Sequence, residues 1–258
     1  MLNKLFYWTR GLIWKAPPFL RPFFIWIGRL IRSVAVRTEN EKAVRISLSL
    51  GVEYLYGAEV NGDIAEFGSM TGRTATVIAR MMRICEIFRK KGLRARNLHF
   101  FDSFEGLPEM ESAVDKDSPS VQSGLWGAGG CLGVTPDELR KMTRKYISNE
   151  RIHIYKGWFK DTLSSIPRDA KFAMVHIDSD LYQSAIEVLS YIFEKGHVVE
   201  GAMIFFDDFN CSNASPLFGE RRAWKETIDR FNIKYIDCGP YGWGGWKFLV
   251  NSYKGMAS

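Results

Sequence analysis

Apolar residues at Val44, Leu48, Val52 and Leu55 fall on one face of a helix, and Thr38-x-x-Glu41 ahead of them has the spacing of a capping box. From residue 62 onward the pattern changes to short apolar runs that alternate with helical faces. "DIAEFG", "NLHFFDSF", "RIHIYKG", "KFAMVHID" and "GAMIFFDD" predict five strands. The last two are almost wholly apolar, as central parallel strands covered on both faces require. After the first strand Ile78, Met81, Cys85 and Phe88 share a helical face. Between the last two, Ala185, Ile186, Leu189, Ile192 and Phe193 do so, and Gly196 suits the end of that helix. Thr135, Pro136 and Glu138 open a helix in "TPDELRKMTRKY". "GERRAWKETIDRF" is another, and "IKYIDCG" and "GWKFLV" around "PYGWG" predict a terminal hairpin. Strand-helix alternation of this kind predicts a doubly wound α/β sheet. Residues 104–134, rich in Gly, Ser and Pro, form a connection long enough to be a lid or a binding loop.

Composition adds an appendage to that picture. The 258 residues, 46% hydrophobic and 25% charged, suit one globular domain. The four cysteines are scattered without a C-x-x-C, which indicates neither a zinc site nor a disulfide framework, and a reducing compartment is expected. Residues 1–37 hold seven Lys or Arg and no acid, so the net charge of +6 leaves −1 for residues 38–258 (+6 − 7). The same arm carries eight aromatic residues. It has no apolar stretch near the ~20 residues of a spanning helix and no signal-peptide cleavage site. The expected organisation is a basic aromatic arm, 1–37, followed by the main domain, 38–258, in a cytoplasmic protein. The arm has two readings: it lies on the inner face of an anionic membrane, or it packs on the main domain or on a second subunit of a homo-oligomer. No nucleic-acid partner is expected.

The chemistry gathers where the strands end. In a doubly wound sheet, ligands bind outside the carboxyl ends of the strands. Glu66 closes the first strand, Asp102 the second, Asp178 the fourth and Asp207-Asp208 the fifth. Gly68 and Gly72 in "EFGSMTGRT" allow a tight turn into the next helix, whose amides face a ligand. Asp102 stands where an acid meets a ribose diol, and its competing role is a turn cap before Ser103. Asp178 and Asp180 in "HIDSDLYQS" have a bland reading too, as a solvated strand end and a helix N-cap. Adjacent fourth and fifth strands, however, would bring Asp178, Asp207 and Asp208 within a few ångströms of one another. Three carboxylates in a small space suit Mg²⁺ or a similar hard divalent ion. His176 faces the same side as Asp178 but lies inside an apolar run, and is read as a core histidine.

"GDIAEFGSMTGRTA", "FDSFEGLP", "GWFKDTL", "HIDSDLYQSAIEVL" and "FFDDF" together resemble the macrocin O-methyltransferase family over roughly residues 40–250. The resemblance implies a Rossmann-like seven-stranded sheet with an antiparallel last strand. It implies S-adenosylmethionine as methyl donor, a Mg²⁺ ion, and a sugar hydroxyl of a glycoside or glycan as acceptor. Residue by residue, it makes Asp178, Asp207 and Asp208 the metal ligands and Asp180 the general base. Glu66, Gly68, Ser69, Gly72, Asp102 and Ser103 fall at the cofactor turn and ribose end, and Gly157 and Trp158 at the adenine pocket. In such a reaction a divalent ion lowers the pKa of the acceptor hydroxyl, and Asp180 accepts its proton. Two alternatives stand beside this reading: a metal-dependent glycosyltransferase, in which Asp178-Ser179-Asp180 is an Asp-x-Asp motif, and a membrane-surface adaptor resting on the arm alone.

Overall fold

The computed structural model describes residues 17–88 and 95–256. The strands are β1 (Asp63–Phe67), β2 (Leu98–Asp102), β3 (Ile152–Lys156), β4 (Phe172–Ile177), β5 (Val198–Phe206), β6 (Lys234–Tyr241) and β7 (Gly245–Ser252). They form one sheet in the order β3-β2-β1-β4-β5-β7-β6. Strands β1 to β5 pair in parallel, and β7 runs antiparallel to both β5 and β6. The expected sheet, its terminal hairpin and its antiparallel last strand are all present. The strand order reverses between β1 and β4, which defines the switch point where open α/β sheets bind ligands.

Register fixes what lies there. Tyr155, Phe101, Phe67, Ile177, Phe206 and Trp246 pair in one row across the sheet. Phe67 stacks on Phe101 at 4.6 Å between ring centroids, and Phe101 on Tyr155 at 4.2 Å. One residue further along, that row continues as Gly68, Asp102, Asp178 and Asp207. An apolar floor therefore ends in a line of acids because the parallel strands terminate level with one another. Strands β1 and β4 are buried along their whole length, so any polar residue inside them needs a partner. Glu66 and His176 are register partners, and His176 Nδ1 lies 3.1 Å from Glu66 Oε1.

The helices are α1 (Arg21–Gly57), α2 (Arg73–Phe88), α3 (Ala113–Lys116), α4 (Pro119–Gln122), α5 (Pro136–Thr143), α6 (Phe159–Thr162), α7 (Tyr182–Glu194) and α8 (Gly219–Phe231). Helix α5 starts in the predicted capping box: Glu138 N–H donates to Thr135 Oγ1 at 3.3 Å, and Thr135 N–H to Glu138 Oε2 at 2.8 Å. Helix α7 buries Ala185, Leu189, Ile192 and Phe193 from its expected face, with Val188, while Ile186 is half-buried.

One predicted boundary is wrong. Helix α1 does not start at Thr38 but runs through it from Arg21. The Thr38 hydroxyl donates to Val34 O one turn back at 2.8 Å, and Glu41 pairs with Arg37 at 3.0 Å. Both residues thus make interactions four positions apart that belong to a helix interior. Two units separate by their internal contacts, Met1–Ile46 and Ser47–Ser258, and α1 belongs to both. In the second unit Leu48, Val52 and Leu55 of α1 are fully buried.

Candidate active site at the carboxyl ends of the strands

The turn after β1 is built on Gly68. Its φ is 90°, and a Cβ there would lie 1.9 Å from the carbonyl oxygen of Asp178. Only glycine lets the β1 and β4 ends approach this closely. Asp102 ties the same turn to β2. Its Oδ2 accepts Ser69 N–H at 2.7 Å and Met70 N–H at 3.3 Å, and its Oδ1 accepts Phe104 N–H at 2.6 Å. The turn-capping role weighed for Asp102 is therefore real. It coexists with a place on the wall of a cavity of about 350 Å³.

That cavity brings together Gly68, Asp102, Ser103, Gly157, Trp158, Asp178 and Asp180. Asp207 and Asp208 do not line it, but oxygens of Asp178, Asp207 and Asp208 all lie within 4.8 Å of one another. Glu66, Ser69 and Gly72 do not line it. Glu66 is fully buried, with its two oxygens on His176 Nδ1 and the Ser69 hydroxyl. Its observed work is to pair with Nδ1 of the core histidine, whose Nε2 has no partner among the described residues, and to brace the turn through Ser69. His176 accordingly sits in the core, as read from the sequence.

Asp180 is not the N-cap of α7. It adopts φ 61°, and Leu181 follows it in the extended capping position. The first turn of α7 is capped from elsewhere: Asp115, on α3 in the long loop, accepts Tyr182 N–H at 2.8 Å and Gln183 N–H at 3.0 Å. Asp115 is 2% exposed, and burial raises its pKa against those two hydrogen bonds. Glu220 does the matching work on the other side. Fully buried at the start of α8, it accepts Ser179 N–H at 3.2 Å and Asp208 N–H at 2.9 Å, so one carboxylate braces the loops after β4 and β5. Neither acid stands out in the sequence. The one signal for Glu220 is its place in the first turn of a helix.

Five carboxylates now share one end of the sheet, and their electrostatics follow. Burial, then the charges of Asp207, Asp208, Asp180 and Glu220, push Asp178 well above the ordinary aspartate range. Asp208 and Glu220 are raised in the same way. Asp180 is raised by burial to about 6, although hydrogen bonds with Asp208 and the Cys131 thiol oppose the shift. Burial and the Asp180 charge in turn push Cys131 up to about 12. Cys211 donates its thiol to Asp208 Oδ1 at 3.0 Å. Tyr241 is buried against the same charges, and its hydroxyl has no hydrogen-bond partner among the described residues. No ion pair compensates these acids among the described residues. The arrangement stores repulsion that a divalent cation would relieve.

Fold and switch-point cleft define a class. The structure of the O-methyltransferase NovP matches with a TM-score of 0.67 at 24% identity, over 81% of this chain and 80% of that one. CalS11, a calicheamicin methyltransferase, matches with a TM-score of 0.63 at 18% identity, over 96% and 91%. The fold is thus the Rossmann-like fold of these methyltransferases. The macrocin-O-methyltransferase (TylF) family model matches residues 45–237, and the chain belongs to that family. Demethyldecarbamoylnovobiocin O-methyltransferase of Streptomyces niveus is 30% identical over 180 residues, 69% of this chain. Mycinamicin III 3''-O-methyltransferase of Micromonospora griseorubida is 27% identical over 179 residues, 67% of this chain. The chain spans 64% and 63% of the lengths of these two relatives.

Proposed function

We propose that this protein transfers a methyl group from S-adenosylmethionine to a sugar hydroxyl of a glycoside or glycan, with Mg²⁺ held by Asp178, Asp207 and Asp208. The observation that carries the proposal is the cluster of uncompensated carboxylates at the β1/β4 switch point, beside a cavity walled by the glycine turn. The donor set fits a hard divalent ion, being all oxygen and compact, and the unpartnered Tyr241 hydroxyl beside it fits a site completed by a ligand. When bound there, Mg²⁺ supplies Lewis acidity that lowers the pKa of an acceptor hydroxyl.

The chain's own residues do the rest. Gly68 and the amides it exposes accept the donor closely, and Asp102 and Ser103 stand at the position for its ribose. Trp158 offers a flat apolar face to a purine. Asp180, on the cavity wall and turned inward by its positive φ, takes the hydroxyl proton as the new C–O bond forms and the C–S bond breaks. Glu220 holds Asp208 by its own amide, and the segment around Asp180 is held on either side, by Glu220 at the amide of Ser179 and by Asp115 at those of Tyr182 and Gln183. The sugar acceptor is supported by the relatives: one is named for a mycinamicin 3''-hydroxyl, and another, from Streptomyces olivaceus, for the 4'-position of a rhamnosyl tetracenomycin. The glycosyltransferase reading accounts for Asp178 and Asp180 alone and leaves the glycine turn without a role.

The test is transfer of labelled methyl from S-adenosylmethionine to a panel of glycosides. Transfer that stops with EDTA and returns with Mg²⁺ is expected. Transfer indifferent to EDTA sinks the metal assignment, and turnover of a nucleotide-sugar in place of the methyl donor sinks the reaction class.

A further inference from the structure

The proposed reaction leaves the first unit without work. Residues 1–37 carry Lys4, Arg10, Lys15, Arg21, Arg29, Arg32 and Arg37, with Glu39 the first acid in the chain. Within the described part of that stretch, Phe23 and Trp26 lie three apart, on one face of the start of α1, and Phe19 precedes them in the 3₁₀ turn Pro18–Leu20. They are 78%, 55% and 61% exposed, and Leu20, Val34 and Val36 are exposed as well. Isolated surface hydrophobics need no explanation, but a run of this kind beside charge of one sign does. No helix among the described residues is long and apolar enough to cross a membrane.

Charge complementarity chooses the occupant. A second copy of the arm would bring seven positive charges against seven. An anionic lipid surface presents the opposite sign, and its headgroup layer is where tryptophan and other aromatic rings settle. A helical stretch with exposed aromatic residues and, as far as Arg37, only basic charges is the kind that lies in that layer without spanning it. We propose that residues 17–37 dock on the surface of an anionic phospholipid membrane. The proposal is independent of the methyl-transfer reading, since it uses no residue of the cleft.

Co-sedimentation of the full chain with vesicles tests it. Binding is expected to vesicles of phosphatidylcholine with phosphatidylserine and not to phosphatidylcholine alone. It should weaken as salt shortens the screening length from ~8 Å at physiological ionic strength to ~3 Å at 1 M. Arg29→Gln and Arg32→Gln should each weaken binding about fivefold, the equivalent of ~1 kcal/mol per cationic side chain near an anionic leaflet. Trp26→Ser should weaken it while leaving the salt dependence unchanged. Two results overturn the proposal. One is a full chain that stays in the supernatant with phosphatidylserine vesicles at low salt. The other is a dimer in solution that Trp26→Ser dissociates, which makes the aromatic face a subunit contact. The lipid and salt comparisons need no substitution, so a variant that fails to fold leaves the test intact.

Discussion

Aspartates sit at both ends of the parallel strands, and the two ends treat them in opposite ways. At the amino end of β1, Asp63 is 6% exposed and fully engaged. It accepts Asn97 N–H at 2.8 Å and Asn97 Nδ2–H at 2.9 Å, with His99 Nε2 at 3.3 Å. Burial works against its charge, but the hydrogen bonds from His99 and Asn97 win and bring its pKa to about 2. At the carboxyl ends, Asp178, Asp180 and Asp208 are all raised, by burial first and then by one another's charges or that of Asp207. Residue type is alike, and although the carboxyl-end acids are half-buried where Asp63 is buried, the deeper one is the one held charged, so the difference is the supply of donors. A carboxylate whose partners lie within the chain is structural. A cluster that the chain leaves repelling itself costs stability, a cost that the proposed metal site accounts for.

Substitutions at the two ends should therefore fail differently. Asp178→Ala should lower methyl transfer about 10³-fold, the several kcal/mol of Lewis-acid stabilisation at stake, with the circular dichroism spectrum unchanged. Asp180→Asn should cost about 10²-fold in kcat as a lost general base while the thermal response to Mg²⁺ persists. Asp63→Ala reverses the pattern. Its pKa falls from 3.8 to about 2, which corresponds to about 2 kcal/mol of stability at ~1.36 kcal/mol per unit. That stability is present above the unfolded pKa and is lost as pH falls toward 2. The variant should unfold at lower denaturant at pH 7 and yet keep its response to Mg²⁺.

Asp115→Ala removes the cap of α7 and should cost about 1 kcal/mol in denaturation. If the cap also positions Asp180, kcat falls while KM for the methyl donor holds, and Asp115→Asn restores part of it. The smallest effect has the opposite sign. Asp180 binds its proton up to about 6 in the folded chain against ~3.9 unfolded, so its contribution is favourable at low pH and lost as pH rises through 6. Asp208→Asn removes a carboxylate that Asp180, Glu220 and Asp207 repel. Without metal at pH 7 this variant should melt about 2–4 °C higher than the parent chain, which is ~1 kcal/mol for a chain of this size, and it should gain nothing from Mg²⁺.

The sheet and its row of acids are legible because the runs of β2, β4 and β5 stop at Asp102, Asp178 and Asp207, and parallel pairing turns those separate endings into one place. What was not legible needed contacts across the fold. The pairing of Glu66 with His176, 110 residues away, follows only from the register of β1 and β4. Asp115 reaches amides 67 and 68 residues away, and Glu220 one that is 41 away, distances at which no local pattern exists. Thr38-x-x-Glu41 misled for a physical reason: the same two side chains serve an interior turn as well as a first one.

Calorimetric titration of Mg²⁺ at pH 7, with S-adenosylhomocysteine present, tests the distinction between the two ends most directly. One site per chain in the parent protein is predicted, abolished in Asp178→Asn and intact in Asp63→Asn. A parent chain that takes up no Mg²⁺, or an Asp178→Asn chain that binds it as the parent does, would contradict the account.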